Sequence, residues 1–175
     1  SYSGRFRNSI LTKQDQILKS NLIKDWRNGM YHNIPISATF NVFKYLNLTA
    51  SFNFTDRMYT NKVMREWDTQ QSKIVQDTTY GFYNVFNYYG SLSADTKLYG
   101  FYKPWKIFGD KVQAIRHIFT PSISFSAAPD FSSPRYGFWK TLSYINEQGE
   151  TVTEKYSPFS NGIFGTVSQG KQGTV

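Results

Sequence analysis

Between Ile34 and Tyr59 the chain, IPISATFNVFKYLNLTASFNFTDRMY, alternates apolar and polar residues almost without exception. Ile36, Ala38, Phe40, Val42, Leu46, Leu48, Ala50, Phe52 and Phe54 hold even positions. Ser37, Thr39, Asn41, Asn47, Thr49, Ser51, Asn53 and Thr55 stand between them. A period of two belongs to a β-strand, whose successive side chains leave opposite faces; a helix cannot segregate such a pattern. Strands are therefore expected at about 34–43 and 45–59, with a tight turn at Lys44. The polar row is small and uncharged. A soluble β-sandwich usually carries Lys, Glu and Arg on its wet face, so a Ser/Thr/Asn row better suits the inner wall of a large barrel. The even-numbered residues would then face lipid, and Ser37, Thr39, Asn41, Asn47, Thr49, Ser51 and Asn53 the lumen.

Parity also sets the register. Directly opposed residues of a hairpin share a face, so apolar positions on the two strands must pair with each other. A loop centred on Lys44 does this, matching Val42 with Leu46, Phe40 with Leu48, Ala38 with Ala50 and Ile36 with Phe52. An unbulged two-residue turn would set apolar against polar residues. The odd-length loop contains no Gly or Asn at 43–45, so Lys44 or Tyr45 is expected to take any left-handed conformation, at some strain.

Two further strands are expected at about 86–102 and 116–128. In the first, Tyr88, Leu92, Ala94, Leu98 and Tyr102 share one face, and Ser91, Ser93, Asp95 and Lys97 the other. In the second, Phe119, Ile123, Phe125 and Ala127 alternate with Thr120, Ser122, Ser124 and Ser126. Pro121 lacks a ladder donor and marks a strand start, a bulge or a frayed pairing. The connection over 103–115 is moderate, whereas 1–33, 60–85 and 129–165 read as long loops. Alternating short and long connections are the habit of outer-membrane barrels, with short periplasmic turns and long outer loops. Aromatics would form two girdles. Phe43, Tyr45, Tyr99, Phe101, Tyr102, Trp105 and Phe108 lie toward the periplasmic edge; Tyr31, Tyr59, Trp67, Tyr88 and Tyr89 lie toward the outer one. A capping-box pattern at Thr12–Asp15, with Leu18, Leu22 and Trp26 following, predicts a short loop helix over 12–27. YINEQGETVTEKY predicts a small hairpin turning at Gln148–Gly149.

Composition narrows the chemistry. No apolar run approaches the roughly 18 residues of a membrane helix. The 39% apolar share and 18% aromatic share still suit a barrel, whose strands need only about 9–11 alternating residues each. There is no cysteine, which removes disulfide frameworks and thiolate metal sites. His32 and His117 are isolated, so no metal site or other cofactor is expected. The net charge of +8 is spread without a dense basic run, which argues against nucleic acid. It leaves a solvated basic surface, or an anionic membrane or glycolipid, as its meaning. The 175 residues suffice for one domain. Their start at Ser1 fits either removal of a leader or a piece of something longer.

NGMYHNIPISATFNVFKYLNLTASFNF, DTKLYGFY, AIRHIFTPSISFSAAPDF and YSPFSNGIFGTVSQGKQGTV, in this order, resemble the barrel domain of the LptD family of lipopolysaccharide-assembly proteins. The resemblance spans most of the chain and looks like a middle stretch of the barrel, without a gate strand. It implies an antiparallel transmembrane β-barrel segment over 1–175 in the outer membrane of a Gram-negative bacterium. It further implies transport of lipopolysaccharide to the outer leaflet, with a plug lipoprotein and a periplasmic bridge as partners. Together with the net charge, it makes Lys62, Arg65 and Lys73 candidates for contact with lipopolysaccharide phosphates. The alternatives are another outer-membrane barrel, such as a nutrient receptor or porin, and a secreted carbohydrate-binding β-sandwich. No enzyme is expected. The two histidines are poorly placed for a shared Ser/His/acid site, and nothing suggests a poised carboxylate pair.

Overall fold

The protein was analysed as a computed structural model that describes residues 1–43, 45–102 and 115–175. It is all β. In chain order the strands are β1 (Ser3–Ser9), β2 (Arg27–Val42), β3 (Leu46–Asp68), β4 (Lys73–Thr96), β5 (Leu98–Tyr102), β6 (Ile115–Phe119), β7 (Ser122–Ala128), β8 (Lys140–Ile145), β9 (Thr151–Tyr156) and β10 (Gln172–Thr174). One six-stranded antiparallel sheet has the order β1-β2-β3-β4-β7-β10, while β5-β6 and β8-β9 form two-stranded ribbons. Among the described residues the large sheet is open, with β1 and β10 at its edges.

Like residues meet across this sheet. Phe40 pairs with Leu48, Leu48 with Ala94, and Ala94 with Ile123. The next apolar row runs Ala38, Ala50, Leu92, Phe125. Between them lie the rows Thr39–Thr49–Ser93–Ser124 and Ser37–Ser51–Ser91–Ser126. The register around Lys44 is the one parity requires, with Val42 opposite Leu46 and Ile36 opposite Phe52. Its strain falls elsewhere than expected: Phe43 takes the left-handed conformation, at φ 51°. Such a backbone angle is costly for a bulky side chain. A three-residue connection leaves little choice, because the one-residue change of register that a two-residue turn imposes would set apolar against polar residues along both strands.

Several boundaries differ from the sequence reading. Residues 60–85 do not form a long loop. β3 and β4 run on as a ribbon to Asp68 and Lys73, where Asp68 Oδ1 accepts from the amides of Gln70 and Gln71 to shape a tight turn. Residues 1–33 contain β1 and the first part of β2, paired from Ser3↔Asn33 to Ser9↔Arg27. The helix expected over 12–27 shrinks to a 3-10 turn at Gln14–Lys19. Leu18 and Leu22 are exposed and find no surface to bury an apolar stripe, and turn chemistry takes over. Asn21 Oδ1 accepts from Ile23 and Lys24 amides, and Asp25 accepts from Asn21 N. The strands expected over 86–102 and 116–128 are each broken once, at Lys97 and at Thr120–Pro121. Counting on from Asp95↔Ser122 reaches Leu98↔Phe119 without a slip, so β5-β6 prolongs the β4-β7 hairpin past the proline. The turn expected over 103–115 lies, but for Ile115, outside the described residues, as do Lys44, Trp105 and Phe108.

The core is not under the alternating rows. It forms where residues 129–167 fold against the far ends of β3 and β4. Tyr59, Val85, Phe131, Phe138, Phe159 and Val167 are its buried members. Phe131 meets Tyr88 edge-on at 5.3 Å between ring centroids, Phe138 meets Phe86 at 5.2 Å, and Phe159 stacks on Tyr59 at 6.0 Å. Burying each such ring contributes about 1.5–3 kcal/mol. Val85 and Phe86 leave β4 on opposite faces, so this cap engages the strand from both sides. It also covers a bare edge. β2 stops pairing with β3 at Tyr59, and beyond it Val63 N donates to Pro158 O at 2.9 Å. Arg65 N donates to the Tyr156 hydroxyl at 3.1 Å, which donates back to Arg65 O at 3.2 Å. Backbone groups that a neighbouring strand would otherwise satisfy are bonded by the cap instead. The hairpin expected near Gln148–Gly149 is present as β8-β9, with Gly149 left-handed at φ 80°.

Candidate functional site: the polar face and its cap

The odd-numbered positions of β2 and β3 define the polar face. Near the Phe43–Tyr45 turn it is a lawn of small hydrogen-bonding groups. Thr39 and Thr49 hydroxyls lie 3.1 Å apart, and Asn47 Nδ2 donates to Asp95 Oδ2 at 2.9 Å. Farther along the strands it becomes basic. Arg5, Tyr31, Arg57 and Val85 form one row across four strands, and Arg7 pairs with Gly29 in the next row on this face. Arg57 Nη1 donates to Asn87 Oδ1 at 2.6 Å, and its guanidinium sits 5.7 Å from the Tyr31 ring centre. Its Nε is buried without a partner among the described residues. Tyr31 in turn packs against Phe164 of the cap.

The opposite face carries the even-numbered residues. Ile36 is 59% exposed, Phe40 55%, Phe125 53% and Ile123 64%, and no element covers them among the described residues. Beyond this apolar band, His32 stands directly opposite Asp56, and the Tyr2 hydroxyl bonds His32 Nδ1. Asp56 is 7% exposed, and its Oδ1 has no partner among the described residues. Burial pushes its carboxyl above the usual 3.8, against the opposing influence of His32 and of hydrogen bonds from Arg57 N and Asn84.

The residues singled out from sequence for lipopolysaccharide contact do not form one cluster. Lys62 Nζ lies 4.7 Å from the Tyr83 ring centre. Arg65 stacks on Tyr156 and pairs with Glu154 at 3.6 Å. Lys73 stands beside the tip turn, opposite Asp68. The outer aromatics divide by parity. Tyr31, Tyr59 and Tyr89 are on the polar face, opposite Arg57, Gly29 and Asn53, whereas Tyr88 is opposite Phe54 on the apolar one. Trp67 packs on Tyr144 of the cap hairpin. The sequence of residues 1–33 reads as loop, so the arginine row is not expected from it. The signal was there in Tyr2, Phe6 against Arg5, Arg7, an alternation disguised by charge.

A family model described as LptD protein matches residues 1–175, the whole chain. The chain belongs to the LptD family. No curated protein and no solved structure matches it. Membership in this family points to lipopolysaccharide transport.

The Asp56 environment yields a pH dependence. Because the folded carboxyl is raised, the folded state holds its proton more tightly than the unfolded chain. Stability should therefore fall as pH rises from about the ordinary value of 3.8 through the folded one. Asp56→Asn should remove that fall. Unfolding midpoints of both proteins across this acidic range test it, and parallel pH profiles would contradict it.

Proposed function

We propose that the chain is a stretch of a transmembrane β-barrel in the outer membrane of a Gram-negative bacterium, and that the whole protein delivers lipopolysaccharide to the outer leaflet. One observation carries the barrel reading: the uncovered apolar rows run across four strands, back to back with Ser/Thr/Asn rows. In water so continuous an apolar face would be a liability. Against lipid it is the normal outer surface of a barrel. Ile34–Val42 and Leu46–Phe54 each have the length, about 9–11 residues, that crosses a bilayer as a tilted strand. On this reading Ile36, Ala38, Phe40, Val42, Leu46, Leu48, Ala50, Phe52 and Phe54 face lipid. Ser37, Thr39, Asn41, Asn47, Thr49, Ser51 and Asn53 line a wet lumen.

The Phe43–Tyr45 turn then lies at the periplasmic side, where the exposed Phe43, Tyr45, Phe101 and Tyr102 suit the interface. The β3-β4 ribbon and the cap project outward. Family membership supports the cargo, as well as a plug lipoprotein and a periplasmic bridge as partners, and it favours this barrel over a porin or nutrient receptor. Lys62, Arg65 and Lys73 lie on the ribbon, where outer-leaflet phosphates would be met. A phosphate at Arg65 would compete with Glu154.

Two outcomes follow. Phe40→Arg or Phe52→Arg in the full protein should cost about 2–4 kcal/mol of folding free energy in bilayers if the site lies near the midplane, and Thr39→Arg or Ser51→Arg little. Equal costs on both faces would sink the barrel reading. Neutralising Lys62, Arg65 and Lys73 together should lower surface lipopolysaccharide while the protein level holds. Unchanged lipopolysaccharide would remove these three from the transport path.

A further inference from the structure

The polar face holds a cavity that this reading does not use. It has a volume of about 270 Å³ and lies where β4, β7 and β10 meet the cap. Asn87 and Tyr89 of β4 open into it beside Ser126, Ser168 and Gln172. Asn87 and Tyr89 stand opposite Thr55 and Asn53, so both belong to the wet face. None of the residues lining the cavity is charged.

The groups are held in place from behind. Arg57 occupies Asn87 Oδ1 and so turns the Nδ2 donors free for a ligand. Gln172 Nε2 donates to Ser168 Oγ at 3.3 Å, which leaves the Gln172 carbonyl as an acceptor. Asp130 Oδ1 accepts from Ser132 N at 2.8 Å, Ser132 Oγ at 2.7 Å and Gly170 N at 2.9 Å. It thereby ties the segment after β7 to the segment before β10 and fixes the rim. These three bonds hold its carboxyl below the usual range. Tyr89 lines the cavity and remains 45% exposed.

We propose that this cavity binds one uncharged sugar ring. Fixed amide and hydroxyl groups can exchange hydrogen bonds with ring hydroxyls, and an exposed tyrosine ring can receive the C–H face of a pyranose. A phosphate would find no cation among the lining residues. The volume lies just under the roughly 300–1,000 Å³ of pockets for drug-sized ligands, which suits a single ring and not an extended chain. The proposal rests on the barrel reading only in taking this face to be water-filled. It adds a neutral saccharide subsite, separate from any contact with phosphate at Lys62, Arg65 or Lys73.

The test is saturation-transfer NMR on the full protein in detergent, with glucose, galactose, mannose, N-acetylglucosamine and glucose 6-phosphate as probes. At least one neutral sugar should show transfer, weakened roughly fivefold by Tyr89→Ala and kept by Tyr89→Phe, which retains the ring. Binding retained in Tyr89→Phe also shows that the pocket survives substitution there. No transfer to any neutral sugar would overturn the proposal. So would binding unaffected by Tyr89→Ala, or a preference for glucose 6-phosphate over glucose. None of these results touches the barrel reading, which is decided by the cost of charges at Phe40 and Phe52.

Discussion

Everything in this structure depends on a ladder of backbone hydrogen bonds whose two faces carry different side chains, apolar on one and polar on the other. Each strand must satisfy its amides and carbonyls through its neighbours, and each face must suit what it touches. The register of β2 on β3 reconciles both demands at once, since one slip would exchange the faces of an entire strand. The fold accepts a left-handed Phe43 in the connecting turn to keep it. Local strain of this kind, of order 1–3 kcal/mol, is small beside a whole strand of misplaced apolar and polar groups.

Past the alternating zone the same ladder continues under other rules. β3 and β4 keep pairing to Asp68 and Lys73, but their side chains no longer sort by polarity. The cap supplies what flanking strands supply lower down. It buries the aromatic ends of β3 and β4, and its Tyr156 hydroxyl and Pro158 carbonyl bond the bare edge of β3. Ser157 stitches the cap to itself, donating to Phe138 O at 2.8 Å and meeting Thr166 Oγ1 at 2.8 Å. The result is an open wall at one end and a packed body at the other.

How much of this the sequence reveals depends on which force writes the pattern. Where apolar and polar residues alternate strictly, the pairing of Phe40 with Leu48 is legible from parity alone. In TNKVMREWD charges break the pattern, and a paired ribbon reads as a loop. The 12–27 segment shows the reverse error. Leu18, Leu22 and Trp26 have helical spacing, but spacing without a surface to bury against does not make a helix. The arginine row and the Tyr89 cavity are illegible for a third reason. Their strands carry weak signals of their own: β1 hides its alternation behind Arg5 and Arg7, and β10 is only three residues long and pairs far back in the chain with β7.

The central claim is that the even face meets lipid and the odd face meets water. The most direct measurement places single cysteines at Ile36, Phe40, Phe52, Ser37, Thr39 and Ser51 in the full protein in bilayers. Each is then challenged with a lipid-soluble and a water-soluble thiol probe. The account predicts reaction with the lipid-soluble probe at Ile36, Phe40 and Phe52, and with the water-soluble probe at Ser37, Thr39 and Ser51. Reaction of both sets with the water-soluble probe, or the reverse assignment, would contradict it.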